Sequence, residues 1–515
     1  MNGAESLVKT LLANGADLCF ANPGTSEMHF VAALDKIAGM RCVLTLFEGV
    51  ATGAADGYFR VRQTPATTLL HLSPGLANGL SNLHNAKKAG SGIVNIVGEH
   101  ASFHLQHDAP LTGDTEGVAW PMSHWVRTAQ SSAAVAHDAA DALAVARATP
   151  HGIATLILPA DASWGPATEV ACVADAAAPQ AADAQALQAA TVALLSGGDA
   201  ALLLGGQALR SKALDWAGRI AARTGCKLLC EGHNALLQRG AGRVRVERLP
   251  HDVARAYETM QGITRLVLVG AKIPVAFFAY PNQPSLLVPT ECEVIALANA
   301  GQDVEGALEA LARELDAPAG CTQFVAQRER PGLPHGKITP QGIAATLVAL
   351  IPEQTIVVDE SISVGHRFFP LTGGAAPHDW LNSVGASLGY ALPVAIGAAI
   401  AAPDRRVLAL VGDGSAMYTL QALWTMAREA LNITVVILAN RSYNVLRGEL
   451  NKIGVSDPGP TALGMLSLSG PELDWVALAR GHGVPAGRAH DLGELAREMQ
   501  RGLSGEGPYL IELLI

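Results

Sequence analysis

Oxygen-bearing side chains follow two apolar segments in the last quarter of the sequence. Asp413 follows the apolar segment 406–411 after a single glycine, and Asn440 comes directly after the segment 433–439. Both segments predict parallel strands, and the carboxyl ends of such strands are where open α/β sheets bind ligands. A carboxylate, an amide oxygen and the backbone carbonyl of Ser442 are hard oxygen ligands. The spacing therefore predicts a Mg²⁺ site at this edge of a sheet.

The residues around Asp413 suit a phosphate group held against that metal. Gly412 and Gly414 flank the aspartate, and Ser415 precedes a predicted helix at about 416–429. Glycine lets the backbone approach a phosphate closely, and a helix N-terminus offers unpaired N–H groups. A strand-turn-helix without any ligand is the alternative. The asparagine 440 − 413 = 27 positions downstream favours the diphosphate site.

A second candidate for chemistry lies near the amino terminus. The segment 40–59, MRCVLTLFEGVATGAADGYF, predicts a strand, then Glu48, then a helix of small residues. A carboxylate in this place can exchange a proton, or it can simply complement the helix dipole. Gly53 and Gly57 permit close helix packing, and we expect this helix to lie at a subunit contact.

The elements that would position these residues alternate between strand and helix along the whole chain. This alternation predicts an α/β protein with three consecutive domains and mainly parallel sheets. We predict domains at 1–170, 185–320 and 338–515, with looser segments at 173–183 and 316–339. The predicted strands cover 17–21, 41–46, 67–72, 93–97, 152–158, 200–204, 227–229, 265–269, 293–297, 355–358, 406–411, 433–439 and 509–513.

Composition excludes several classes of function. The 515 residues are 49% hydrophobic and carry a net charge of −10, which argues against a nucleic-acid partner. No uncharged apolar run is long enough to span a bilayer. The first twenty residues, with an early Glu5, resemble an amphipathic helix and not a signal peptide. The seven scattered cysteines show no metal-ligand spacing, so we expect free thiols and a cytoplasmic location.

These motifs together resemble the thiamine diphosphate-dependent decarboxylase and carboligase family. The motif at 412–414 followed by Asn440 is similar to the family's cofactor motif, and 48–58 is similar to its E-x-x-A-x-x-x-A-D-G-Y segment. Four further segments resemble family loops that surround the cofactor, at 22–27, 70–78, 359–363 and 385–393.

The resemblance implies thiamine diphosphate and Mg²⁺ as cofactors, with a role for each matching residue. Glu48 would bind N1′ of the aminopyrimidine, and Asp413, Asn440 and Ser442 would hold the metal. Leu388 would lie beneath the thiazolium. The implied cofactor contacts are Gly75, Asn78, Ser361, Ser363, Ala386, Leu388, Gly412, Gly414, Ser415 and Tyr443.

Within this family the chain is most similar to the benzoylformate decarboxylase branch. His71 and Thr25 fall where that branch has an active-site histidine and a catalytic serine. Tyr280 aligns, across a one-residue gap, with a second histidine of the branch, and this departure puts the family's proton relay and benzoylformate as substrate in doubt. His71 could alternatively only order the loop that follows it.

The resemblance implies an enzyme that acts on a 2-oxo acid and yields an aldehyde or, with an aldehyde as acceptor, a 2-hydroxy ketone. An acetolactate synthase-like carboligase that uses pyruvate is the first alternative. A catalytically silent scaffold or regulatory homologue is the second. Because Glu48 and Asp413 lie in different domains, the resemblance implies a homo-oligomer, a dimer at least and usually a tetramer.

Two other features have weaker functional interpretations. His100, His104 and His107 could line the site entrance or form a solvated loop, and their spacing does not suggest zinc. Gly205 and Gly206 open a helix after a strand, as in a nucleotide site. They lack a G-x-G-x-x-G motif, so we interpret them as a structural turn and find no support for FAD.

Overall fold

The chain folds into three α/β units, each built on a mainly parallel sheet. The structure is a computed structural model that describes residues 1–174, 177–197, 199–320 and 322–515. The predicted fold class is therefore confirmed. Part of the looser segment at 173–183 lies outside the described residues.

The first unit has a six-stranded parallel sheet in the order β2-β1-β3-β4-β6-β5. Its four inner strands are largely apolar and buried because helices cover both faces, whereas its two edge strands are partly exposed. Its elements are α1 Gly3–Ala13, β1 Leu18–Ala21, α2 Met28–Lys36, β2 Arg41–Leu44, α3 Glu48–Arg62, β3 Ala66–Leu70, α4 Leu72–Ala89, β4 Ile93–Glu99, α5 Thr115–Ala119, β5 Trp125–Thr128, α6 Val135–Arg147, β6 Ile153–Pro159 and α7 Ala160–Trp164.

The second unit has a five-stranded parallel sheet in the order β10-β8-β7-β11-β12. The elements of this part of the chain are α8 Ala184–Leu195, β7 Ala200–Leu204, α9 Ser211–Thr224, β8 Lys227–Cys230, β9 Leu237–Arg239, β10 Glu247–Arg248, α10 Val253–Met260, β11 Arg265–Val269, β12 Glu293–Ala298 and α11 Val304–Glu314.

The third unit has a seven-stranded sheet in the order β17-β18-β16-β15-β13-β14-β9, in which β9 comes from the second part of the chain and runs antiparallel. The remaining elements are α12 Pro340–Leu350, β13 Ile356–Glu360, α13 Ile362–Gly365, α14 Phe368–Leu371, β14 His378–Asn382, α15 Ala391–Ala401, β15 Val407–Gly412, α16 Asp413–Ala416, α17 Ala422–Arg428, β16 Ile433–Ala439, α18 Asn444–Lys452, α19 Pro460–Met465, α20 Trp475–Gly481, β17 Ala486–Ala489, α21 Leu492–Ser504 and β18 Tyr509–Leu514.

In each sheet there is a point from which strands are added in opposite directions along the sheet. This point lies between β1 and β3 in the first, between β7 and β11 in the second, and between β13 and β15 in the third. Such a point opens a crevice at the carboxyl ends of the two strands. The segments that follow β1, β3, β13 and β15 carry most of the residues that the sequence predicted for the active site.

Small residues of α3 pack against α15 of the same chain. A Cβ on Gly57 would lie 2.2 Å from the Val394 carbonyl oxygen, and one on Gly397 would lie 1.9 Å from that of Ala54. The close packing expected of this helix is therefore present. In the single chain it joins the first unit to the third, whereas we expected it at a subunit contact.

The predicted helix at about 416–429 is interrupted. A short helix, α16, begins at Asp413 itself, and α17 follows after a turn. Among the described residues no helix is both long and apolar enough to cross a membrane.

Candidate active site

The Asp413 carboxylate lies in the crevice of the third sheet. Gly412 pairs with Leu438 across β15 and β16, which brings Asp413 and Asn440 to neighbouring strand ends. The two carboxylate oxygens of Asp413 accept hydrogen bonds from the backbone N–H groups of Gly414 at 2.9 Å and Arg441 at 2.7 Å. Asp413 is only 4% exposed, and this burial raises the pKa of its carboxyl group. A cation at this position would offset that cost of burial.

The Asn440 amide connects two of the predicted contact residues. Its oxygen accepts the backbone N–H of Ser442 at 3.0 Å, and its Nδ2 donates to the Ser363 hydroxyl at 3.2 Å. Ser363 therefore lies beside the predicted metal site. The hydroxyl of Ser361 instead donates to the buried Asp359.

The turn after β15 requires glycine at residue 414. A Cβ on Gly414 would lie 2.7 Å from Cε1 of Tyr443. The Tyr443 backbone is fixed in turn, since its N–H donates to the Leu466 carbonyl at 2.9 Å. Gly414 and the Tyr443 ring therefore pack closely together beside Asp413.

A loop of residues 383–390 connects β14 to α15 and carries Ala386 and Leu388. The buried Glu360 carboxylate accepts the backbone N–H groups of Gly389 at 2.9 Å, Tyr390 at 3.3 Å and Ala391 at 2.9 Å. Ala386 has a φ of 57°, a conformation that few residues other than glycine adopt. Such strain is typical of functional loops that their surroundings hold in place.

Two asparagines of α4 hold this loop from the first unit. Asn85 donates to the Ser387 carbonyl at 2.9 Å and accepts the Ser387 N–H at 3.0 Å. Asn82 donates to the Gly389 carbonyl at 3.3 Å and to the Gly49 carbonyl at 2.8 Å. The loop is therefore linked directly to the helix that begins with Glu48.

Glu48 starts α3 and is 8% exposed. Its Oε2 accepts the side-chain N–H of Asn78 at 3.0 Å. A Cβ on Gly75 would lie 2.9 Å from its Oε1, so glycine is needed there to let the carboxylate sit above the start of α4. The structure thus brings together the predicted residues Glu48, Gly75 and Asn78.

His71 lies in the crevice of the first sheet, and its main partner is a residue that sequence reasoning missed. Its Nδ1 lies 2.8 Å from Oε2 of Glu27 and 3.3 Å from the Ser26 hydroxyl. Glu27 is almost fully buried and also accepts the Gly24 N–H at 2.7 Å and the Ser26 hydroxyl at 2.7 Å. The carboxylate holds the proton on Nδ1 and leaves Nε2 as the acceptor.

A signal for Glu27 does exist in the sequence. A glutamate three residues after a capping position commonly returns to the capping N–H, and Glu27 does so at Gly24. That pattern predicts a capped turn but not a histidine 71 − 27 = 44 residues away.

Two predicted catalytic residues are not joined to this group by hydrogen bonds in the described part of the chain. Thr25 is exposed, and its neighbour Ser26 supplies the hydroxyl beside His71. Tyr280 donates its hydroxyl to Glu449 of α18 at 2.6 Å, a bond that raises the pKa of Tyr280. The catalytic role assigned to Tyr280 stays a prediction.

The structure also locates the histidine group and the glycine pair that had weaker functional interpretations. The rings of His100, His104 and His107 succeed one another at 5.6 Å, and the described residues contain no group of three His, Cys, Asp or Glu that could hold a metal. At the crevice of the second sheet, a Cβ on Gly205 would lie 2.7 Å from both Glu231 and the Gly270 carbonyl. Glycine is therefore required at residue 205 by the packing of this turn.

Comparisons with known proteins identify the same regions. The family "Thiamine pyrophosphate enzyme, N-terminal TPP binding domain" matches residues 1–117, and "Thiamine pyrophosphate enzyme, C-terminal TPP binding domain" matches residues 363–513. These matched regions contain Glu48 and Asp413 respectively.

Two curated relatives and one solved structure are similar over nearly their whole lengths. The Mycobacterium tuberculosis protein named "Putative acetolactate synthase large subunit IlvX" is 49% identical over 100% of this chain and 99% of its own. Benzoylformate decarboxylase of Pseudomonas aeruginosa is 28% identical over 98% and 97%. The fold matches that of a 4-hydroxybenzoylformate decarboxylase from Rhodococcus jostii RHA1 with a TM-score of 0.85, at 23% identity and over 99% and 98% of the two chains.

Proposed function

We propose that this chain, which belongs to the thiamine pyrophosphate enzyme family, is a thiamine diphosphate- and Mg²⁺-dependent decarboxylase of a 2-oxo acid. The setting of Glu48 carries the proposal. A carboxylate that is buried at a helix start, bound by an asparagine and packed against a glycine can exchange a proton with a bound heterocycle.

The residues of the third unit fit the diphosphate and its metal. Asp413, Asn440 and the Ser442 carbonyl would hold Mg²⁺, and the backbone around Gly414 would contact the phosphates. When bound, thiamine diphosphate supplies the carbon nucleophile and the electron sink for loss of CO₂. Asp413 contributes the charge that the metal needs, because it is the one carboxylate in this set.

In the first unit, Glu48 would bind N1′ of the aminopyrimidine and Asn78 would orient the carboxylate. His71 can give or take a proton at Nε2, since Glu27 fixes the proton of Nδ1. A proton delivered to the decarboxylated substrate gives an aldehyde. We therefore place His71 in that step, and Glu27 as the residue that positions it.

Two candidate reactions differ in the side chain of the 2-oxo acid that the enzyme would use. The likeness to benzoylformate decarboxylase favours an aromatic 2-oxo acid and an aldehyde product. The 49% identity to a protein named as an acetolactate synthase large subunit favours a second candidate, in which pyruvate is decarboxylated and joined to another carbonyl compound.

The test is a panel of 2-oxo acids, including benzoylformate and pyruvate, incubated with the full chain, thiamine diphosphate and Mg²⁺. Mass spectrometry identifies an aldehyde or a 2-hydroxy ketone. The control is Glu48→Gln, which should bind the cofactor while turnover falls by about 10²–10⁴-fold. Cofactor binding without turnover of any acid would favour the catalytically silent homologue.

Assembly forms part of the same proposal. Glu48 and Asp413 belong to separate units of one chain, and we propose that a homo-oligomer completes the site between them. Light scattering should give a dimer or a tetramer. A protein that is monomeric and fully active would contradict this part.

A further inference from the structure

Two cysteines stand opposite each other on neighbouring strands of the first sheet. Cys19 lies on β1 and Cys42 on β2, and the two residues are in register in a parallel pair. Side chains at paired positions of parallel strands point to the same face. Neither thiol has a role in the candidate active site.

The backbone geometry at this pair is compatible with a disulfide. Neighbouring strands lie about 4.7–4.9 Å apart, and the Cα atoms of disulfides are usually about 4.4–6.8 Å apart. The Cys19 thiol donates to the Phe20 carbonyl at 3.9 Å, and both cysteines are free. Closing the bond would therefore need side-chain rotation but little movement of the strands.

The two cysteines differ in access and in acidity. Cys42 is exposed on the edge strand β2, whereas Cys19 is fully buried. The neighbouring Cys19 thiol lowers the pKa of the Cys42 thiol, whereas the neighbouring Cys42 thiol together with burial raises the pKa of Cys19. Because the thiolate is the reactive form, Cys42 is the cysteine that an oxidant in solution attacks first.

We propose that Cys19 and Cys42 form a reversible disulfide when the protein meets a peroxide. The Cys42 thiolate attacks a peroxide oxygen, the O–O bond breaks, and Cys42 becomes a sulfenic acid as hydroxide leaves and takes up a proton. The Cys19 sulfur then attacks the Cys42 sulfur, and a second water leaves with the Cys19 proton. The two thiols lose two electrons in total, and hydrogen peroxide is reduced to two water molecules.

The bond would join the edge strand to its neighbour across 42 − 19 = 23 positions. β1 continues into the loop that carries Ser26 and Glu27, and β2 continues towards Glu48. We expect the oxidised protein to melt at a temperature a few degrees higher, because the cross-link restricts the unfolded chain. This inference is independent of the proposed function.

The test treats the full chain with one equivalent of hydrogen peroxide, alkylates the remaining thiols and maps the peptides by mass spectrometry. We expect a peptide that joins Cys19 to Cys42, two fewer alkylated cysteines, and full reversal by dithiothreitol. A Cys42 that stays free, advances to sulfinic acid, or links only to another chain would overturn the proposal.

Matched variants make the result specific. Cys42→Ala changes an exposed residue, so it should fold normally and leave Cys19 as a free thiol after oxidation. Cys172→Ala removes another exposed cysteine and should leave the Cys19–Cys42 peptide unchanged. Loss of that peptide in Cys172→Ala would show a different pairing and would contradict the assignment.

Discussion

At the scale of single residues, the hydrogen bonds of Asp413 show why its carboxylate suits a metal. In the described part of the chain, the Asp413 carboxylate accepts hydrogen bonds only from backbone N–H groups. A buried carboxylate that faces neutral donors and lacks a paired side-chain cation is well suited to a metal, because the ion compensates the lost hydration.

Asp413→Asn removes this charge with little change in shape. We expect Mg²⁺-dependent affinity for thiamine diphosphate to fall by about 10²-fold, since losing a charged partner costs about 3 kcal/mol. Calorimetric titration in excess Mg²⁺ measures the affinity. Asp404→Asn, at an exposed aspartate of the same unit, should bind like the wild type. Unchanged affinity in Asp413→Asn would place the metal elsewhere.

Glu27 acts on the proposed chemistry only through His71. Glu27→Gln keeps the size of the side chain but removes the charged acceptor at Nδ1, so the histidine loses its fixed tautomer. We expect turnover to fall by at least about 10-fold with little change in cofactor affinity.

A double-variant comparison separates positioning from general damage. If Glu27 works through His71, adding Glu27→Gln to His71→Ala should cost nothing further in turnover. Steady-state kinetics at saturating cofactor, with a thermal melt of each variant, gives the answer. Losses that multiply would mean that the two residues act independently.

At the scale of elements, Glu360 fixes the start of α15 and with it the loop 383–390. Three backbone N–H groups meet its carboxylate, yet burial raises the pKa of Glu360 to about 7 from its ordinary value near 4.5. Between these values the folded chain holds a proton that the unfolded chain releases. Stability from this group is therefore present at low pH and is lost as pH rises towards 7.

Glu360→Gln cannot titrate, so it provides the reference. We expect the melting temperature of the wild type minus that of the variant to fall between about pH 5 and about pH 8. Differential scanning calorimetry at several pH values measures the difference. A difference that is constant, or that grows with pH, would show that the three N–H groups outweigh the cost of burial.

At the scale of the whole molecule, one buried ion pair joins the three units. Arg60 and Asp56 of α3 lie 2.6 Å apart with almost no exposure. The guanidinium also donates to the carbonyl of Ala235 at 3.4 Å and to that of Asn382 at 2.7 Å. The pair thus satisfies polar groups from the second and third units.

Arg60→Met should lower the free energy of unfolding by about 3–5 kcal/mol, because it leaves the Asp56 carboxylate buried without a cation and with only the Ser91 hydroxyl as a side-chain donor. Urea unfolding followed by circular dichroism measures the loss. The double variant Asp56→Ala/Arg60→Met should lose less than the single one. Arg62→Met, at an exposed arginine on the same helix, should change stability little, and an equal loss there would argue against the buried pair.

The part of the site that the sequence alone determined is local along the chain. Asp413 and Asn440 belong to one β-α-β unit, and Glu48 follows β2 after a short turn at 45–47. Hydrophobic periodicity and short turns decide such arrangements, so the residue types and their spacing were sufficient. Three predicted strands, Ala200–Leu204, Arg265–Val269 and Ile433–Ala439, match the structure at both ends for the same reason.

Tertiary structure alone decided the contacts between distant segments. β14 begins with His378 and Asp379, which are polar but buried. Asp379 can be buried because Arg243 and Arg405 both form ion pairs with it. β9 adds to the third sheet from another part of the chain. Glu27 reaches His71 only because β1 and β3 are neighbours in the sheet. Strand order depends on the packing of all the helices and strands together, and the local pattern of residues does not encode it.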